Sequence, residues 1–376
     1  MSALTTVEQL QTRRLNLAPI TVASRAARIR ARLAELEIDA VILTTPSNIR
    51  WSTGFTGSAG TVVITSDSLH LITDGRYSEQ AEQQLAEAQC DGEVVITQSA
   101  QLAMIAKALG NARRVGLEAD SVTWAQQQRF AEGLSAELVP TIAAIEKLRR
   151  VKDDTELARI ELAADIADFA LAKVRHLLND GLTEKQFALA LDMEMRAAGA
   201  SGNSFTTIVA SGPNGALPHA RPTERTISAG DLVVIDFGCV VDGYCSDMTR
   251  SVGIGEISTE QTRMLEVIKE ANAAGVAAIA AGQTTAAVDR AARSIVEDAG
   301  WGEAFVHGTG HGVGLDIHEA PRVSSASEEV LALGEVVTVE PGVYLPALGG
   351  VRTEDLLVVT NEGCRAMSKS PKSFQP

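Results

Sequence analysis

The sequence predicts an α+β protein of two unlike domains, and three observations carry that prediction. Helix and strand patterns alternate from Arg25 to about residue 147, as in a small α/β domain. From residue 148 onward helices come in pairs separated by strand pairs, and this order runs twice. A length of 376 residues is enough for two hydrophobic cores. With 45% hydrophobic and 22% charged residues, the composition is that of a soluble globular chain. Only 4% is aromatic, which leaves little for a platform that stacks bases or sugars. A formal net charge of −15 opposes nucleic acid and anionic membrane as partners. Cys90, Cys239, Cys245 and Cys364 show no CxxC pairing and are too few for a disulfide scaffold. No secretory h-region and no run of about 18 apolar residues is present, so a cytoplasmic protein is expected.

Residues 1–22 carry no strong period and are expected to form a flexible arm. The first domain, 23–147, opens with the amphipathic helix "RAARIRARLAELEI" and the strands "AVILTT", "TVVIT" and "LHLITD". Helices near 77–88 and 101–109 follow, with the strand "EVVIT" between them. The charged stretch "TIAAIEKLRRVKDD" marks the boundary, with Asp153 or Asp154 as a helix cap. The second domain, 148–376, begins with helices near 154–179 and 184–199, the latter opened by a capping box of Thr183 and Gln186. Strands "FTTIVAS", "DLVVIDFG" and "GYCSDMTRSVG" come next, then helices near 258–281 and 285–299. The chain closes on "EVVTVEPGVYL" and "VRTEDLLVVTN".

Three of the six histidines, His307, His311 and His318, fall in "HGTGHGVGLDIHEAP". His307 and His311 have the i, i+4 spacing of a helical zinc site. Gly308, Gly310, Gly312 and Gly314 oppose a helix, since each costs roughly 1 kcal/mol relative to Ala there. An extended segment is expected instead, and any metal held here needs ligands from elsewhere in the chain. Carboxylates can supply them. Asp242-Gly243 is a two-residue hairpin signal. Pairing Val241 with Tyr244 puts Asp236 opposite Thr249 and Asp247 opposite Gly238. The two acids become diagonal neighbours on one face, roughly 7–8 Å apart. Asp236 follows the apolar run "VVI", and burying such acids unpaired is costly. Glu340 and Glu354 interrupt apolar strands in the same way. Four carboxylates and one imidazole form a hard, oxygen-rich set that suits two divalent cations, Mn²⁺ first, with Fe²⁺, Co²⁺ or Zn²⁺ acceptable.

The order of Asp236 and Asp247, "HGTGHGVGLDIHE", "VEPGVY" and "GGVRTED" resembles the pita-bread metallopeptidases, in their aminopeptidase P and prolidase branch. "NIRWSTGFTGSAG" and "LITDGRYSEQA" look like the creatinase-type N-terminal domain of that branch. The resemblance spans roughly residues 25–370. It implies a creatinase-like α/β domain followed by a pita-bread catalytic domain of duplicated helix pairs and antiparallel strands. It also implies roles. Asp236 would chelate one metal, His311 and Glu340 the other, with Asp247 and Glu354 bridging. His219 and His318 would contact the reacting carbonyl, Glu340 would handle the proton, and His307 and Arg352 would bind substrate. Asp74, Arg76 and Tyr77 would be a fold signature, and Arg50 and Trp51 could reach a neighbouring subunit's site, since a homodimer is implied.

The activity implied is metal-dependent hydrolysis of the Xaa-Pro bond, releasing the residue before proline. The cations would acidify a water and clamp the oxyanion, Glu340 would carry the proton to the leaving nitrogen, and His219 and His318 would donate to the tetrahedral intermediate. The N-terminal motifs favour an aminopeptidase acting on peptides with proline second, over a prolidase restricted to dipeptides. The complete set of five ligand types opposes a creatinase-like enzyme without metals and a binding module that has lost activity.

Overall fold

The computed structural model describes residues 6–376, which divide into two compact units. Ala18–Arg149 form one unit, and residues 6–17 join Arg150–Pro376 in the other. None of the described helices is long and apolar enough to cross a membrane.

Residues 7–15 are helical, which corrects the expectation of a flexible arm. This helix, α1 (Val7–Leu15), opens with a capping box of Thr6 and Gln9. Leu10 is fully buried among Leu162, Ala163 and Ile166, and Arg13 pairs with Asp165 at 2.6 Å. Gln11 and Arg14 donate to the carbonyls of Ala197 and Gly199. One buried leucine in nine residues is too sparse to show as a period, so the packing was invisible in the sequence. Residues 1–5 of the expected arm lie outside the described residues.

The Ala18–Arg149 unit comprises α2 (Arg25–Glu35), β1 (Ala40–Leu43), α3 (Pro46–Thr53), β2 (Thr61–Thr65), β3 (Leu69–Thr73), α4 (Ser78–Glu87), β4 (Glu93–Ile96), α5 (Gln101–Leu109), β5 (Arg114–Glu118), α6 (Trp124–Gly133), β6 (Glu137–Thr141) and α7 (Glu146–Arg149). Its strands form one mixed sheet in the order β4-β3-β2-β1-β5-β6. The β1 strand pairs antiparallel with β2 and parallel with β5, so both faces must be covered and β1 is buried throughout. Trp51 is 1% exposed, under the guanidinium groups of Arg25 and Arg28. That corrects its expected reach toward a neighbouring subunit: the indole is part of this unit's core. Asp74 and Arg76 pair with each other, and Tyr77 bonds Ser58.

The second unit holds α8 (Asp154–Val174), α9 (Glu184–Ala197), β7 (Gly202–Asn203), β8 (Ile208–Ser211), β9 (Leu232–Phe237), β10 (Cys239–Val241), β11 (Tyr244–Cys245), β12 (Met248–Gly253), α10 (Thr259–Ala277), α11 (Thr285–Asp298), β13 (Gly310–Gly312), β14 (Glu319–Val323), β15 (Val336–Val339), β16 (Gly342–Leu345), β17 (Gly349–Arg352), β18 (Asp355–Thr360) and β19 (Gly363–Ala366). Asp153 caps α8 and Thr183 caps α9, both in capping boxes. The hairpin register matches the sequence reading: Val241 pairs with Tyr244 and Asp236 with Thr249. Asp242 and Gly243 both have positive φ, as a type I′ turn requires. One sheet runs β12-β9-β8 and another β14-β13-β15-β18-β19. The glycine-histidine stretch is extended at β13, and a Cβ on Gly310 would lie 2.0 Å from the Thr338 carbonyl oxygen. Glycine is there so that β13 can lie against its neighbour.

Replacing Leu10 with Ala should lower stability by about 2–3 kcal/mol, as a buried leucine truncation does, and speed amide exchange in α1. Denaturant melts and hydrogen exchange measure both, and unchanged values would show α1 to be a loose arm.

Candidate metal centre

Separate strands deliver the acids to one point. Asp236 lies near the end of β9, Asp247 just before β12, Glu340 just after β15 and Glu354 just before β18. Backbone bonds lock these ends together: Glu354 donates to the Thr249 carbonyl, and Glu340 to that of Thr309. Asn272 on α10 is fully buried, and its amide donates to the carbonyls of Val339 and Thr353. Each of those residues directly precedes one of the two glutamates. Sequence reading passed over Asn272, although a polar residue on the buried face of a helix was the available signal.

Asp247, His311 and Glu354 each offer a ligand atom within 4.8 Å of the other two. The His311 Nε2 lies 3.5 Å from both Asp247 Oδ2 and Glu340 Oε1. Its Nδ1 is 3.0 Å from the Gly312 carbonyl, which can only accept, so Nδ1 carries the proton. Burial also holds the imidazole below its usual pKa. The Nε2 lone pair therefore faces an oxygen of each of two carboxyl groups, Asp247 and Glu340. Oδ1 of Asp236 and Oδ1 of Asp247 are buried without a hydrogen-bond partner. Burial, and then the charges of Glu354, Asp236 and Glu340, push the Asp247 carboxyl well above its usual range. Glu354 is raised by burial and then by Glu340 and Asp236. These donors fit divalent cations: carboxylate oxygens and an imidazole nitrogen converge, and among the described residues Oδ1 of Asp236 and Oδ1 of Asp247 have no hydrogen-bond donor.

Asp236 stands apart in one respect. Its Oδ2 accepts a hydrogen bond from Nη2 of Arg352, which is 3% exposed. Arg352 also donates from Nε to Thr249 and from Nη1 to the Pro218 carbonyl and the Tyr344 hydroxyl. Thr249 in turn donates to Glu354 at 2.7 Å. Burial pushes the Tyr344 hydroxyl up to about 12, so it keeps its proton and donates to His307 Nε2 at 2.9 Å. The other nitrogen of His307 donates to the Gly308 carbonyl, and burial lowers the ring's pKa. The segment bearing His307 is fixed by Arg293, which bonds the carbonyls of Phe305 and His307 and pairs with buried Asp289.

A cavity of about 790 Å³ opens over this centre. His219, His307, His311, His318, Asp236, Asp247, Glu340, Arg352 and Glu354 all line it, so every site residue expected from the sequence meets there. The His318 and His311 rings stack edge to face, 4.4 Å apart. The remaining lining includes Phe205, Ile208 and Pro218, an apolar group, and the cations Arg221 and Arg322. Neither arginine nor the apolar group was singled out in the sequence, because exposed arginines and scattered apolar residues carry no local pattern.

The chain belongs to metallopeptidase family M24, whose model matches residues 158–361, and residues 25–151 match the creatinase/prolidase N-terminal domain. It is a hydrolase of the pita-bread fold. An uncharacterized peptidase of Bacillus subtilis, YqhT, is 40% identical over 352 residues, covering 92% of this chain and 98% of that protein. Among solved structures, the chain is similar to an Xaa-Pro dipeptidase from Bacillus anthracis, with a TM-score of 0.91 and 39% identity. That match covers 94% of this chain and 99% of the other. An X-Pro aminopeptidase from Thermotoga maritima aligns with a TM-score of 0.84 and 32% identity, over 93% of this chain and 99% of its own.

A carboxylate whose folded pKa is raised destabilises the fold increasingly as pH rises from the unfolded-state pKa toward the folded one, and the full penalty persists above it. Asp247→Asn should therefore melt above the parent chain, both metal-free, by about 2–4 °C at pH 8. The gap should shrink toward pH 4. Thermal melts across pH test this, and a variant melting below the parent at pH 8 would contradict the electrostatic reading.

Proposed function

We propose that this enzyme hydrolyses the peptide bond between an N-terminal residue and proline, on peptides longer than two residues. The observation that carries the proposal is the bare His311 Nε2 facing Asp247 and Glu340 at the floor of the cavity. Asp236, Asp247, His311, Glu340 and Glu354 would hold two divalent cations, with Mn²⁺ preferred by so oxygen-rich a set. The cations would supply Lewis acidity and an acidified water at neutral pH.

The chain's own groups do the rest. Glu340, held above the usual carboxylate range chiefly by burial, accepts the proton of the attacking water and delivers it to the proline nitrogen as that bond breaks. Without that proton the amine is a poor leaving group. His318 is kept neutral by burial and by His311 beside it. With His219 it donates toward the carbonyl oxygen as charge develops there. His307 and Arg352 shape the substrate side, with His307 oriented through Tyr344.

An Xaa-Pro bond has no N–H, so extended-backbone recognition fails at that point, and an apolar slot must read the ring. Phe205, Ile208 and Pro218 supply apolar surface beside His219. The cavity volume, about 790 Å³, sits high in the roughly 300–1,000 Å³ range of ligand pockets. It leaves room beyond a dipeptide, which favours the aminopeptidase reading. A dipeptidase reading draws on Arg221 and Arg322, cations that could hold the carboxylate of a short substrate.

Stripped protein reloaded with Mn²⁺ should convert Ala-Pro-Ala to Ala and Pro-Ala by mass spectrometry. Cleavage of Ala-Pro alone would make it a dipeptidase, and cleavage of neither would overturn the proposal. Asp247→Ala and Glu354→Ala should each lose bound metal and at least about 10³-fold of kcat/KM, a loss of roughly 4 kcal/mol of transition-state stabilisation. A metal-loaded, active Asp247→Ala enzyme would contradict the ligand assignment.

A further inference from the structure

Glu184 is fully buried, yet it lies outside the metal centre, at the first turn of α9. Its Oε1 accepts from the Ser211 backbone N–H and hydroxyl, both at 2.7 Å. Its Oε2 accepts from the Thr223 backbone N–H at 2.9 Å and hydroxyl at 2.7 Å. The Asn214 amide, 3.1 Å from each oxygen, lies between them. Ser211 ends β8, and Thr223 closes the loop that follows. One carboxylate therefore holds both ends of the 212–222 segment. Burial works against its charge, but the donors on Thr223 and Ser211 outweigh that and hold it below the usual range. Position at a helix N-terminus adds to the preference for an anion.

The loop so held is part of the cavity wall. Pro218, His219 and Arg221 all line the cavity, and the Pro218 carbonyl accepts from Arg352. Close backbone packing fixes the loop's middle, since a Cβ on Gly215 would come 3.1 Å from the Gly350 nitrogen. The segment has few side chains of its own to bury: apart from Gly212, Gly215 and Ala220 its residues are half-buried or exposed. Polar anchorage at its ends thus substitutes for a core.

We infer that Glu184 is a positioning residue for the substrate side of the site, acting through His219 by clasping both ends of the loop that carries it. The inference rests on the proposed contact between His219 and the reacting carbonyl. Neutralising the clasp leaves the loop's sequence intact but loosens the direction in which the imidazole donates. Small displacements of a positioned group can cost up to about 10²-fold in rate.

The test compares Glu184→Gln, His219→Ala and the double variant on Ala-Pro-Ala, with bound Mn²⁺ measured by elemental analysis. An amide keeps the shape but replaces one acceptor oxygen with a donor that opposes its partners. Glu184→Gln should lower kcat/KM about tenfold at unchanged metal content, and add less than about twofold once His219 is Ala. Amides 212–222 should exchange faster. Thr223→Val, which removes one of the donors to the carboxylate together with an acceptor for the Asn214 amide and the Arg225 N–H, gives the same comparison with the carboxylate kept should Glu184→Gln fail to fold. An undiminished effect in the His219→Ala background would overturn the inference, as would normal kinetics and exchange in both clasp variants. Those outcomes are distinct from failure of the underlying reading, which would show as no cleavage of Xaa-Pro peptides by the unaltered enzyme.

Discussion

The centre of the catalytic unit answers to one electrostatic constraint: Asp236, Asp247, Glu340 and Glu354 line one cavity together with the guanidinium of Arg352, which pairs with Asp236. Burial works against the Arg352 charge, but Tyr344, Asp236, Glu340 and Glu354 raise its pKa well above the usual range. One guanidinium cannot balance four carboxylates, and the shortfall appears as the raised pKa of Asp247, Glu340 and Glu354, to which burial and the neighbouring acids contribute. Taking carboxylates out of water costs several kcal/mol each unless opposite charge is supplied. The arrangement is therefore poor as a structural device and suited to holding cations. That Arg352 touches Asp236, Thr249, Tyr344 and the Pro218 carbonyl makes it the point where the acids, the histidines and the loop are brought into one register.

Much of the surrounding fold serves to keep the acids from relaxing apart. Buried Arg250 bonds the carbonyls of Glu354 and Ser370 and pairs with Asp355, tying β12 to β18 beside the site. Asn272 pins the two strand ends from α10, and its own oxygen accepts from Lys372. Arg293 and Asp289 hold the glycine-histidine segment from α11. Arg250, Asn272 and Asp289 are buried and Arg293 is half-buried, each with its partners supplied, which rigidifies what it joins. A preorganised set of donors then needs no rearrangement when charge develops on the substrate.

The sequence made much of this legible, for identifiable reasons. Asp242-Gly243 fixed the hairpin register because a two-residue turn leaves no freedom, and the diagonal placement of Asp236 and Asp247 followed. The glycines correctly argued against a helical His307–His311 pair, and the Gly310 contact explains why. What stayed hidden depends on tertiary context. The helix at Val7–Leu15 shows a single buried leucine, so it read as a loose arm. The reach expected of Trp51 came from the family resemblance, and nothing in its local sequence shows that Arg25 and Arg28 cover it. Asn272, Glu184, Arg250 and Asp289 lie on ordinary helices and strands, and only the fold brings their partners from more than a few residues away. Their one sequence signal was a polar residue where the pattern called for an apolar one.

The most direct test of the central claim is a crystal soaked in Mn²⁺ and measured for anomalous scattering at the manganese edge. The account predicts two peaks within the cluster, with Asp247 and Glu354 each contacting both and His311 Nε2 contacting one. It also predicts that Oδ1 of Asp236, now without a partner, becomes a ligand. A cluster with no peak, or a single peak that leaves Asp236 bound only to Arg352, would contradict it.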